Sequence, residues 1–174
     1  MKKSILAPLM LVAVAACGSP AIAPVTPVPD ALRPAPPSVA TRTLLARGVQ
    51  IYECRAKQGD AQGMEWAFVA PEAEVLDPQG KPAGRHYARP RWESAVDGST
   101  LVGAVQARAD APRAGAIPWL LLSAKAEGAS GEFSSTSHIQ RINTVGGVAP
   151  AGGECTLASR GRTVRVPYSA EYVY

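Results

Sequence analysis

Ile117-Pro118-Trp119-Leu120-Leu121-Leu122 is apolar at both sets of alternate positions. A strand reads this way only when both of its faces are buried, so this stretch predicts a strand central to the fold. Downstream, His138-Ile139-Gln140-Arg141-Ile142-Asn143-Thr144 mixes polar and apolar positions. It runs into Gly146-Gly147, a pair suited to positive φ or to close approach of another segment.

Working outward, β-rich runs recur with turn signals between them. Residues 49–55 read as a first strand, residues 59–63 as a hairpin-like connection and residues 65–70 as the return. Residues 73–76 continue to Asp77-Pro78-Gln79-Gly80, where Pro and Gly set a turn. Asp97-Gly98 is a hairpin turn ahead of a strand over 99–108, and the chain closes on Val164, Val166, Tyr168, Tyr172 and Tyr174 in a period of two. Ser38 is placed to cap a short N-terminal helix over 39–47, ended by Gly48. No long helical periodicity follows. The expected fold is all-β: an antiparallel sandwich or partly open barrel of about seven to nine strands.

The amino-terminus carries addressing information. Met1-Lys2-Lys3 precedes an apolar run over 5–16 that is too short for a permanent span, which is the form of a signal peptide. Val14-Ala15-Ala16-Cys17 resembles a bacterial lipoprotein box, so residues 1–16 are expected to be removed and Cys17 to be acylated. Several acyl chains make a durable anchor, since each buried methylene contributes about 0.8 kcal/mol. Gly18-Ser19 lacks the aspartate associated with inner-membrane retention, which points to an outer-membrane lipoprotein facing the periplasm or the surface. Residues 17–37 are proline-rich and read as a semi-rigid tether; some twenty residues would reach roughly 60 Å. Residues 38–174 are then a single β domain.

Composition narrows the partners. Of 18 basic residues, Lys2 and Lys3 lie in the signal segment, leaving 16 against 14 acidic ones. So small an excess does not suit a nucleic-acid binder, which concentrates Lys and Arg in a strongly basic domain. With Cys17 acylated, Cys54 and Cys155 form an even pair in an oxidising compartment and are expected to be disulfide-bonded. A metal pair with His86 or His138, or a catalytic thiol, would need spacing that is not present.

Candidate site residues fall in two places. If residues 84–92 are extended, Arg85, Tyr87, Arg89 and Arg91 share one side and His86 and Trp92 the other. The basic side suits an anionic or saccharide ligand, because guanidinium forks match planar oxyanions. It equally suits a sheet edge whose charges and Pro90 block strand addition. Arg141 and Asn143 share a face of the 138–144 strand and read either as an oxyanion pocket or as buried groups bonded to loop carbonyls. Metalloprotease, nucleotide-loop and serine-hydrolase motifs are absent, so no metal or cofactor is expected. Ser134, Ser135 and Ser137 flank His138, but strand alternation would turn Ser137 away from it.

Gly48-Val49-Gln50-Ile51-Tyr52-Glu53-Cys54, Gly84-Arg85-His86-Tyr87, the 117–121 strand, Ile139 through Gly147 and Val166-Pro167-Tyr168 together resemble the family known as domain of unknown function 3455. The resemblance implies a secreted or envelope protein with no established activity. The expected function is a membrane-tethered, non-enzymatic module that binds a small ligand or an envelope protein. The alternative is a metal-independent hydrolase using His86 or His138.

Overall fold

The computed structural model describes residues 26–174 except 61, 89 and 129. The expected signal segment, Cys17, the first part of the expected tether and Arg89 lie outside the described residues.

Eight antiparallel strands follow one another around a closed barrel: β1 (Thr43–Ala56), β2 (Met64–Leu76), β3 (Pro82–Tyr87), β4 (Arg91–Ser94), β5 (Thr100–Ala109), β6 (Trp119–Glu127), β7 (His138–Gly146) and β8 (Thr163–Val173). Each strand pairs with its neighbours in sequence, and β8 returns to β1 through a ladder from Thr43↔Val173 to Glu53↔Thr163. The all-β expectation holds, in the form of one closed sheet.

The expected helix over 39–47 does not form: β1 begins at Thr43. Closing the ring requires this segment to pair with β8, and its alternation suits that pairing, since Leu44 and Ala46 are buried inside. Tertiary pairing outweighs the weak local preference for a helix.

The apolar run in β6 is buried on both faces, as its pattern requires. Leu120 and Leu122 point into the barrel with Trp92, Ile139 and Tyr172. Trp119 and Leu121 point outward, where Leu32 covers them together with Ile142 and, at the margin, Val28. Leu32 belongs to a 3-10 turn, Asp30–Leu32, and is fully buried. The Gln140 side-chain amide donates to the Leu32 carbonyl at 2.6 Å and fixes the turn in place. Within the proline-rich segment, Val28 and Leu32 are therefore docked on the barrel wall.

Both barrel ends are filled. At one end Phe133, from the β6–β7 loop, stacks on Tyr174. At the other, Tyr52 and Trp66 pack around the Cys54–Cys155 disulfide, which ties β1 to the loop before β8. Gly146 and Gly147 have φ of +66° and +81°, and a Cβ on Gly147 would lie 2.9 Å from that of Tyr168. Glycine is required there by both conformation and space.

The wall is incomplete between β2 and β5. The β3–β4 hairpin is short: β2 pairs with β3 only over 73–76, and β4 pairs with β5 only through Arg91↔Val102, Trp92↔Leu101 and Glu93↔Thr100. Beyond the hairpin tip, residues 64–71 of β2 and 104–109 of β5 have a ladder partner on one side only. Each of these strands also carries a register shift there, opposite Ile51/Tyr52 in β2 and between Val105 and Ala107 in β5. Such bulges bend a strand and re-aim its side chains. The result is a lateral mouth between β2 and β5.

Candidate functional site

The mouth opens onto a cavity of about 100 Å³ within the barrel. Its lip is apolar: Phe68 and Val105 are 50% and 57% exposed although both lie on inward-facing positions, because no strand covers them. Its floor is polar and aromatic, formed by Gln50, His86, Trp92, Arg141 and Tyr172.

Strand alternation delivers these side chains. Gln50 lies on the buried series of β1 that also holds Leu44, Ala46, Tyr52 and Cys54. His86 and Trp92 are directly opposite one another across the β3–β4 hairpin, and Arg141 is opposite Tyr172 across β7 and β8. Tyr172 meets both His86 and Trp92 edge-on, with ring centroids 5.2 Å away in each case.

The chemistry of the floor is dominated by donors. The amide nitrogen of Gln50 and the indole nitrogen of Trp92 are buried without a hydrogen-bond partner among the described residues. Arg141 donates from Nε and Nη2 to the Pro118 carbonyl at 3.2 and 2.8 Å, which holds its guanidinium in the interior. No ion pair among the described residues involves Arg141, and no carboxylate is among the described residues that line the cavity. Its charge reaches the surrounding groups: burial raises the pKa of Tyr172, and Arg141 acts in the opposite sense.

His86 is neutral. Burial lowers its pKa to about 3; the bond to the Arg91 carbonyl counteracts this in part, while Arg141 adds to it. That bond is 2.9 Å long, and since a carbonyl only accepts, Nδ1 carries the proton and Nε2 is left as an acceptor. Among the described residues no carboxylate bonds the ring, which is oriented by the Arg91 carbonyl.

The other expected residues are placed differently. Arg85 and Tyr87 lie on the outer wall, where Arg85 donates to both carboxylate oxygens of Glu93 at 2.9 and 2.8 Å and the Tyr87 hydroxyl donates to the same group. Arg91 pairs with Glu127 at 2.7 Å. The acids that the linear pattern left out are brought alongside by β4 and β6, so this face is a mixed-charge network. Nor is it a sheet edge, since β3 and β4 are paired on both sides; the open edges belong to β2 and β5.

Arg141 and Asn143 do not share a face. A register shift between Ile142 and Val145, with Asn143 at φ of 50°, turns the Asn143 amide towards Glu171, to which it donates at 2.9 Å. Arg141 is half-buried and bonded to the Pro118 carbonyl, whereas Asn143 is exposed.

His138 lines a wider groove of about 720 Å³ between the docked amino-terminal segment and the loop before β7. Its Nδ1 is 3.1 Å from the Ser137 hydroxyl and 3.4 Å from that of Ser38. Ser137 precedes the strand, so alternation does not govern it and the two side chains meet. No carboxylate side chain is among the described residues that line this groove, so no Asp or Glu there orients the imidazole as in a nucleophilic triad. Among the described residues no cluster of three His, Cys, Asp or Glu side chains could hold a metal ion.

The description "Protein of unknown function (DUF3455)" belongs to a family whose pattern matches residues 34–174. The chain belongs to this family. No curated protein and no solved structure matches it. The DUF3455 match takes in every strand and all the residues of the mouth, and it begins just after the docked turn that ends at Leu32. Of the mouth's residues, only Arg141 was a sequence candidate for ligand contact. Gln50 carried a legible signal, a polar residue on the apolar series of β1. Phe68 and Val105 carried none, because their exposure depends on where the β3–β4 hairpin stops.

Proposed function

We propose that this DUF3455 protein is an envelope lipoprotein, anchored through Cys17, whose barrel binds a small ligand through the lateral mouth between β2 and β5. The observation that carries the reading is the coincidence, in one cavity, of an apolar lip and a floor with two buried donors, on Gln50 and Trp92, that no group among the described residues satisfies. Leaving a buried donor unpaired costs about 1–3 kcal/mol, a cost that a ligand with matching acceptors removes. Ligand sites commonly have this composition, mostly apolar with a few convergent polar groups. Binding without chemical conversion is favoured by His86, which is neutral, bonded to a backbone carbonyl and unaccompanied by a carboxylate.

The experiment is a fragment titration of the full-length protein followed by NMR. Binding at the mouth perturbs the Trp92 indole, His86, Phe68 and Val105 together, and Val105→Trp, which fills the lip, removes it while the fold persists. Perturbations that cluster elsewhere, or that survive in Val105→Trp, refute the assignment. The anchor is tested separately: Cys17→Ser should release the protein from the membrane fraction or stall its processing, and unchanged processing and association would remove the lipoprotein from the proposal.

A further inference from the structure

Building on the reading of the mouth as a ligand site, we infer that its ligand is a monocarboxylate with a compact apolar tail, the carboxylate entering the cavity beside Arg141 and the tail resting between Phe68 and Val105.

Charge is the first argument. Arg141 is half-buried, held by the Pro118 carbonyl, and surrounded by neutral His86, Gln50, Trp92 and Tyr172 with no carboxylate among the described residues lining the same cavity. A guanidinium in a low-dielectric interior is stabilised by an anion far more than one in water. The unsatisfied groups on the floor agree with this, since the Gln50 amide and Trp92 indole nitrogens are donors only.

Size is the second. The cavity, about 100 Å³, is smaller than the roughly 150 Å³ that encloses a benzene ring, so it admits a carboxylate and is too small for a sugar ring. The remainder of the ligand must stay at the opening, where Phe68, Val105, Pro71 and Pro90 offer apolar contact. A second charge on the ligand would meet this apolar lip, which is why the class is a monocarboxylate.

The test compares benzoate, benzamide and acetate on the full-length protein by calorimetric titration, with Gln50→Glu as the decisive variant. Gln50→Glu keeps the side chain's shape and places a carboxylate in the cavity that Arg141 also lines. Because removing Arg141 itself also removes the bonds to Pro118, that variant is secondary. Benzoate should bind at one site roughly ten- to a hundredfold tighter than benzamide. Acetate, without the tail, should bind more weakly than benzoate, and Gln50→Glu should abolish benzoate binding in a protein that still unfolds cooperatively. Equal binding of benzoate and benzamide, or benzoate binding that survives Gln50→Glu, overturns the carboxylate inference while leaving the mouth as a ligand site. No binding of either compound also overturns it, and the fragment titration then judges the mouth independently.

Discussion

The imidazole of His86 lies stacked on the indole of Trp92, with ring centroids 4.2 Å apart and planes 13° from parallel. The two residues face each other across the β3–β4 hairpin, so the turn that limits the mouth also sets its aromatic floor. The stack buries the imidazole and accounts for its low affinity for protons.

That burial predicts a pH dependence of stability. The ordinary pKa of 6.5 applies to His86 in the unfolded chain, against about 3 in the folded one. Below pH 6.5 the unfolded chain binds a proton that the native protein does not. The contribution of this residue is therefore complete above pH 6.5 and is lost progressively as pH falls towards 3. At about 1.4 kcal/mol per pH unit, the loss between pH 6.5 and 5 is roughly 2 kcal/mol. Urea unfolding of wild type and His86→Gln at these two values checks it: the wild type should show the steeper decline, and equal slopes would show that His86 is not protected from protonation.

Leu32 predicts a stability effect from outside the barrel. Its side chain fills the space over Trp119, Leu121 and Ile142, so Leu32→Ala leaves a cavity and should cost about 2–4 kcal/mol. Limited proteolysis of the variant should also cut more readily around residues 26–33. A free spacer would show neither change.

The Cys54–Cys155 bond spans a sequence separation of 101. On the chain-entropy account a loop of that size restricts the unfolded state by about 4.7 kcal/mol. The double Cys→Ser variant should be less stable by about 3–5 kcal/mol in denaturant titration. Peptide mapping without reductant should recover the linked pair from wild type. A variant within about 1 kcal/mol of wild type would mean that the bond contributes little.

The Gly146-Gly147 pair shows why some of this was legible early. Positive φ and close approach are consequences of lacking a Cβ, a property of the residue itself, and both are realised against Pro167 and Tyr168. The same holds for the alternation of β8, which buries Tyr168 and Tyr172 and continues to Tyr174 just beyond the strand. For β6 the pattern required two buried faces without saying what buries the second. A sheet would satisfy it, yet a single turn carrying Leu32 does so.

By itself, then, the sequence determined the strand-forming runs, their facing, the glycine positions and the even pair of cysteines, because each rests on local sterics, period-two alternation or counting. The tertiary structure decided ring closure, the recruitment of 43–47 into β1, the neutralisation of Arg85 and Arg91 by Glu93 and Glu127, and the mouth itself. The physical reason is that these depend on register and on which strands end first. Gln50, His86, Trp92, Arg141 and Tyr172 come from β1, β3, β4, β7 and β8, and only their convergence leaves Arg141 in one small cavity without a carboxylate among the described lining residues.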